Sequence, residues 1–266
     1  MISLKDIDVV FGRGTPLEKR ALNRINLEID KGMFVTVIGS NGAGKSTLLG
    51  VLAGDIVPSA GHVLIGDKDV TRKPTVRRAE LVARVFRDPL AGSCGALTIE
   101  ENLALAERRG KRRGLTLALN AQRRASFRER IAELNLGLEN RLGDRMDLLS
   151  GGQRQAVSLV MATLTGSQML LLDEHTAALD PGMAEFIMGL TQKFVSERKL
   201  TTLMVTHSMR QALDFGDRTI MLHGGEIVLD VRGDERKGMQ VEDLIEMFRR
   251  IRGQTIDDDE IGRAHV

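Results

Sequence analysis

Met33-Phe34-Val35-Thr36-Val37-Ile38-Gly39-Ser40-Asn41-Gly42-Ala43-Gly44-Lys45-Ser46-Thr47-Leu48-Leu49-Gly50-Val51-Leu52-Ala53-Gly54 is the stretch that decides the fold. Met33 to Ile38 is a short apolar run with the β-branched content of a buried strand. Gly39 to Ser46 is a glycine-rich turn, and Ser46 to Ala53 has helical character closed by Gly54. The turn matches G-x-x-x-x-G-K-[ST] and sits where that motif works, between a buried strand and a helix start. Backbone N–H groups of Gly39, Ser40, Asn41, Gly42, Ala43 and Gly44 can converge on phosphate oxygens without Cβ interference, and the helix N-terminus adds a favourable dipole. Lys45 supplies charge to the β- and γ-phosphates. Ser46 is expected to ligate Mg²⁺ through its hydroxyl, and Thr47 to contact the α-phosphate side.

Outward from this stretch, apolar positions alternate over residues 2 to 10 (Leu4, Ile7, Val9) and 25 to 29 (Ile25, Leu27, Ile29), predicting half-buried antiparallel strands. The apolar runs Met169 to Leu172 and Thr202 to Val205 read as two more buried strands, separated by a helix near Ala184 to Glu197, as parallel βαβ packing requires. Thr219 to Val231 contains two apolar segments around His223-Gly224-Gly225-Glu226, a hairpin signal that ends the sheet antiparallel. The expected fold class is α/β, with a three-layer core, an antiparallel β subdomain and an inserted helical subdomain.

Met169-Leu170-Leu171-Leu172-Asp173-Glu174 places two carboxylates at the C-terminal end of a buried strand, where open α/β sheets put their ligand crevice. Asp173 suits the outer shell of Mg²⁺. Glu174 is then positioned to orient or deprotonate the water that attacks a γ-phosphate. The bland alternative is that these carboxylates cap the next helix. Leu149-Ser150-Gly151-Gly152-Gln153 offers a second anion-binding helix N-terminus, with the helix starting near Gln153.

This pentapeptide, together with the phosphate loop and the acidic strand, resembles the ABC ATPase family, and matches in the right order cover nearly the whole chain. The resemblance implies ATP and Mg²⁺ as cofactors and a P-loop NTPase core, with ATP hydrolysed by an ATP-binding subunit of a transporter. It implies that Ser150, Gly151, Gly152 and Gln153 close over nucleotide held by a second copy, so the working unit is a homodimer. Phe11 aligns with the adenine-stacking aromatic, an ordinary core Phe being the alternative. Ala177-Ala178-Leu179-Asp180 resembles the loop that crosses the dimer interface, with Ala177 where serine is usual and the Asp180 carboxylate kept. His207, in Val205-Thr206-His207, resembles the switch histidine that contacts the γ-phosphate and braces Glu174.

Two further positions depart from the pattern. In Val85-Phe86-Arg87-Asp88-Pro89, Arg87 stands where a Mg²⁺-sensing glutamine is normal. A guanidinium offers no carbonyl to a cation, so either hydrolysis is tuned down until a permease docks or Arg87 binds phosphate directly. His175 replaces the proline that commonly follows the glutamate; it either titrates near neutral pH or packs, and packing is the better reading. Cys94 reads as a small tolerated residue.

The resemblance divides the chain into 1–87 and 160–266 as catalytic core with the β subdomain, and 88–159 as helical subdomain. Residues 253–266 are expected to be a flexible tail holding Asp257-Asp258-Asp259-Glu260, after an amphipathic helix over 241–251. Arg108, Arg109, Lys111, Arg112, Arg113, Arg123, Arg124, Arg128 and Arg130 form a basic helical insert facing only Glu107 and Glu129. It is either a solvated face or a contact for lipid headgroups or an acidic permease loop.

Composition narrows the function further. The net charge of +2 does not demand nucleic acid, and with Trp and Tyr absent there is little material for base stacking, so no nucleic-acid partner is expected. The single cysteine excludes a disulfide framework and a cysteine metal cluster. No run approaches a membrane span, and the N-terminus lacks a signal-peptide core, so a membrane role needs partners. The expected partners are integral-membrane permease subunits docking near residues 88–105 and a solute-binding protein outside the membrane. The expected location is the cytoplasmic face. Thr98-Ile99-Glu100-Glu101-Asn102-Leu103 and Asp173-Glu174-His175-Thr176 look like a bacterial import ATPase for an amino-acid-like solute. A soluble ABC ATPase acting on nucleic acid or ribosomes is the alternative, and a nucleotide kinase a third reading that lacks the Leu149–Gln153 element.

Overall fold

In the computed structural model, which describes residues 1–111 and 117–250, the apolar run predicted at 33–38 is a central strand buried on both faces. In chain order the elements are β1 (Ile2–Phe11), β2 (Lys19–Ile29), β3 (Phe34–Gly39), α1 (Lys45–Ala53), β4 (Ala60–Ile65), β5 (Lys68–Asp69), α2 (Thr75–Arg78), β6 (Val82–Val85), α3 (Ile99–Glu107), α4 (Ala121–Ala132), α5 (Gly151–Thr163), β7 (Met169–Asp173), α6 (Pro181–Arg198), β8 (Thr202–Val205), α7 (Met209–Asp214), β9 (Arg218–His223), β10 (Glu226–Arg232) and α8 (Gly233–Gly238). Residues 241–250 are helical. The acidic run 257–260 and the tail 253–266 lie outside the described residues.

The main sheet has the order β10-β9-β3-β8-β7-β6, parallel from β9 to β6, with β10 closing it as an antiparallel hairpin. Its strands alternate between two cores. Val35, Val37, Met169 and Leu171 face α1 and the second sheet, while Leu170, Leu172 and Met204 face α5 and α6. The second sheet, β2-β1-β4-β5, is antiparallel throughout. It is the expected β subdomain, and with the helices behind the main sheet it completes three layers.

The helical lobe is built on the rear core. Phe127, Ile131, Leu134, Leu138 and Met146 pack in one cluster with Val157 and Val160 of α5. Thr98 caps α3 through a capping box with Glu101, and Ser150 caps α5 through one with Gln153. The helix expected near Gln153 therefore begins two residues earlier, at Gly151.

The basic segment is not one helix. α3 stops at Glu107 and α4 starts at Ala121, where Asn120 Oδ1 accepts from Arg123 N at 2.9 Å. Gly110 disfavours continuation between them. Nor do the cations face only Glu107 and Glu129. Arg124 pairs with Glu100, Arg130 with Glu133 and Arg123 with Glu107, and Arg109 donates to Met161 O. Partners from other elements had no signal in local charge counting. Arg112 and Arg113 lie outside the described residues.

Candidate functional site

The site forms at the C-terminal ends of β3, β6, β7 and β8, where the loops leave the parallel sheet. At the end of β3, Gly39 has φ 149°, and a Cβ there would collide with the carbonyl of Leu222. Gly44 has φ 103°, and a Cβ there would lie 2.6 Å from the carbonyl of Ala21. Both positions require glycine, so the loop is held with its backbone at the mouth of α1. Gly44 is the N-cap of α1 and brings no side-chain acceptor, which leaves the first N–H groups of the helix to a ligand.

Lys45 is 6% exposed, and its Nζ donates to Gly39 O at 2.8 Å and Ser40 O at 3.0 Å. Burial lowers its pKa, and the charges of Glu174 and Asp173 push it back up. It is a buried cation whose direct partners are neutral carbonyls of its own loop. A cradle that tolerates no Cβ, an uncapped helix N-terminus and this lysine together fit a polyphosphate. Ser46 is exposed and Thr47 half-buried on the first turn of α1.

Asp173 ends β7, and its Oδ2 accepts from Arg84 Nη2 at 2.5 Å. Arg84 also donates to Asp55 Oδ2 at 2.8 Å and stacks 4.6 Å from the centroid of Phe86. Glu174 follows with φ 46°, a left-handed conformation unfavourable for a side-chain-bearing residue and a mark of functional sites. Its side chain is 11% exposed and held at both oxygens. His207 Nε2 lies 2.6 Å from Oε1, and Arg87 Nη1 donates to Oε2 at 3.1 Å. Neither carboxylate caps α6, whose cap is Asp180, with Oδ1 accepting from Met183 N at 3.0 Å.

Phe11 closes β1 with 45% of its surface exposed. It stands opposite Lys19, whose Nζ lies 4.0 Å from where a Cβ on Gly42 would be, so the ring lies beside the phosphate-loop end of the site and outside the core. Ser150, Gly151 and Gln153 are exposed or half-buried at the start of α5, and Gly152 packs against Met183 closely enough to exclude a Cβ. This group adjoins the Asp180 segment. Among the described residues no hydrogen bond or ion pair joins it to residues 39–47 of the same chain.

His175 is 2% exposed, with Nε2 3.0 Å from Thr191 Oγ1, and burial pushes its pKa down to about 4. It packs. Cys94 is exposed, its backbone tied to the Asn102 amide. Two residues of the site had gone unremarked in the sequence. One is Arg84; the other is Gln155, fully buried, whose Nε2 donates to Phe86 O at 3.0 Å and to His175 O at 2.6 Å. Arg84 is a charged residue within the apolar run Val82–Val85, and that is the signal that could have found it; Gln155 follows Gln153 and Arg154 at the polar start of α5 and carries no such signal.

The mixed donor set of Ser46 hydroxyl and Asp173 carboxylate is hard and suits a small divalent cation, whose remaining ligands a nucleotide's phosphates would complete. Residues 22–177 match the protein family described as ABC transporter. The chain is 41% identical over 249 residues to a tyrosine transport ATP-binding protein of Clostridioides difficile, covering 93% of this chain and 98% of the relative. It is 37% identical to the thiamine import ATP-binding protein ThiQ of Salmonella typhimurium, covering 80% and 85%. Among solved structures, the dimeric post-hydrolysis ATP-binding cassette MJ0796 bound to ADP and Pi superposes with a TM-score of 0.74 at 30% identity, over 87% of this chain and 98% of that one.

Proposed function

The chain belongs to the ABC transporter family as its ATP-binding, ATP-hydrolysing subunit, and from that premise we propose that two copies sandwich two ATP molecules and energise solute import through a separate permease. The observation that carries the mechanism is Glu174, 11% exposed in a strained conformation, with Lys45 in its field and His207 on its carboxylate.

On this reading Gly39 to Gly44 present N–H groups to the β- and γ-phosphates, Lys45 exchanges its loop carbonyls for phosphate oxygens, and Thr47 meets the α-phosphate side. Phe11 stacks on adenine. Ser46 and Asp173 would hold Mg²⁺, which would supply charge neutralisation at the phosphoryl oxygens. Glu174 orients a water whose oxygen attacks the γ-phosphorus; the bond from that phosphorus to the bridging oxygen breaks, ADP leaves with the electron pair, and the water's proton passes to Glu174. His207 keeps the carboxylate aimed and touches the γ-phosphate. The exposed N-terminus of α5, carrying Ser150 to Gln153, covers the nucleotide of the other copy, and Asp180 crosses beside it.

The lobe over 88–159 then moves with each closure, and a permease follows it. The cleft lined by Phe86, Pro89, Leu105 and Arg109, about 480 Å³, is the docking position. The 41% identity to a tyrosine transport protein supports an amino-acid-like solute, delivered by a solute-binding protein. Among the described residues no helix is long and apolar enough to cross a membrane, and the permease would hold the cassette at the cytoplasmic face.

The test is the solution mass of Glu174→Gln by light scattering, with and without MgATP, beside the same variant carrying Ser150→Arg. ATP is expected to convert monomer to dimer in the first and not the second. A chain that binds ATP and stays monomeric sinks the sandwich. For the solute, uptake of labelled tyrosine and labelled thiamine is compared in cells with and without the gene, and only tyrosine uptake is expected to fall.

A further inference from the structure

Arg87 is the residue that the family pattern leaves without a role, and the structure puts it on Glu174. The parallel pairing of β6 and β7 ends with Val85 opposite Leu172, and the residues just beyond the two strands bring Arg87 to Glu174. Arg87 Nη1 reaches Glu174 Oε2 at 3.1 Å while His207 occupies Oε1 at 2.6 Å. Both carboxylate oxygens are committed. The pair is lopsided: Glu174 is 11% exposed and Arg87 63%, and Glu174 is the one ion-pair partner of Arg87 among the described residues. The arginine thus reaches from solvent into a nearly closed site and is held there by this carboxylate alone.

We propose that Arg87 is a positioning residue that restrains Glu174, so that the cassette by itself turns over slowly until the loop after β6 draws the guanidinium away. The inference rests on the reading that Glu174 accepts the proton of the attacking water. A carboxylate that already accepts from a guanidinium and faces an imidazole is a weaker base and is less free to turn towards water than one held by the imidazole alone. Glutamine at this position is shorter and carries no charge, and would leave the carboxylate more readily. The release has a physical route. The Gln155 amide, buried in α5, holds Phe86 O at 3.0 Å and His175 O at 2.6 Å, the carbonyls just before Arg87 and just after Glu174. A shift of α5 with its lobe therefore acts on both ends of the ion pair. The cleft beside Phe86 and Pro89 gives a docked permease access to the same loop.

The full-length chain is assayed as wild type, Arg87→Gln, Arg87→Lys and Glu174→Gln, reading kcat, KM and the equilibrium Kd for ATP. Arg87→Gln is expected to raise kcat by about three- to tenfold, equivalent to ~0.7–1.4 kcal/mol of barrier, with KM and Kd unchanged. Arg87→Lys, which keeps the charge, should fall closer to wild type. In the nucleotide-free protein, the thermal midpoints of Arg87→Gln, Glu174→Gln and their double variant should be non-additive, as residues in contact are. A fall in kcat with Arg87→Gln would make Arg87 a phosphate contact and overturn the proposal, and so would an unchanged kcat or additive midpoints. Hydrolysis that survives in Glu174→Gln is a separate result, which removes the reading of Glu174 itself.

Discussion

Replacing Arg78 by methionine should cost the cassette about 3 kcal/mol without touching the phosphate site. Arg78 is fully buried at the end of α2, and among the described residues no carboxylate pairs with it directly. Its guanidinium donates to Val51 O, to Leu52 O at 3.1 Å, to Lys73 O at 2.9 Å and to Thr71 O at 2.9 Å. Val51 and Leu52 lie in the last turn of α1, so the cation closes the C-terminal carbonyls of the helix whose N-terminus faces the phosphates and complements its dipole. Burial lowers its pKa, and Asp55 and Asp69 push it back up; an arginine so placed stays charged at neutral pH. Four carbonyls losing their donor at a net ~1 kcal/mol each total about 4 kcal/mol, and the apolar surface of the methionine returns about 1 kcal/mol. Against a domain stability of roughly 5–15 kcal/mol this is a large loss. With no Trp or Tyr in the chain, urea unfolding is best followed by far-ultraviolet circular dichroism. At a slope of ~3 kcal/mol per M the midpoint should fall by about 1 M, and Arg78→Lys, with fewer donors in reach, should lie between. A midpoint unchanged in Arg78→Met would show that water satisfies those carbonyls equally well and refute the capping argument.

Two further outcomes follow from the same contacts. His175 is buried neutral with its pKa pushed down to about 4 from an ordinary value near 6.5. Its contribution is complete above pH ~6.5 and is lost as pH falls from there towards 4, about 2.5 kcal/mol between pH 7.5 and 4.5. Urea midpoints at those two pH values should differ less in His175→Leu than in wild type, and an equal difference would remove His175 from the acid transition. Gly39→Ala needs φ near 149° with a Cβ driven into the Leu222 carbonyl, so it should abolish ATP binding measured by equilibrium dialysis. Near-native affinity would show that the loop has another conformation that binds.

The segments that were legible in the sequence are those whose chemistry is contiguous. β3, the loop and α1 carry strand, cradle and helix in one run, and β7 announces itself by four apolar residues ahead of two carboxylates. β6 was not visible because Arg84 interrupts a four-residue run, β5 has only two residues, and β4 opens on Ala60, Gly61 and His62. β2 was under-read at Lys19 and Arg20, which face solvent at its start. Irregular register along β1, between Leu4 and Ile7 and again before Val9, also breaks the alternation on which strand reading depends. The basic segment differs for another reason: Glu100 reaches Arg124 through tertiary packing, which local charge counting does not see, and Glu133, three residues past Arg130, lies just beyond the stretch counted.

The partners of the two carboxylates belong to this last class, and they change how ligand arrival should be pictured. Arg84 and Arg87 are close to Asp173 and Glu174 only because β6 pairs with β7 across more than eighty residues of chain. The substitution at position 87 can be noticed in the sequence, but its consequence depends on that register. Lys45 is paired with loop carbonyls, Asp173 with Arg84, and Glu174 with Arg87 and His207. Lys45, Asp173 and Glu174, proposed contacts of phosphate, cation and water in turn, are therefore already engaged. Binding is then an exchange of partners, and its free energy is the difference between two paired arrangements, smaller than the sum of the new contacts. Such a site can rest in the paired state and be tipped by a modest shift of the loop after β6, which is the property a cassette governed by a docked permease requires.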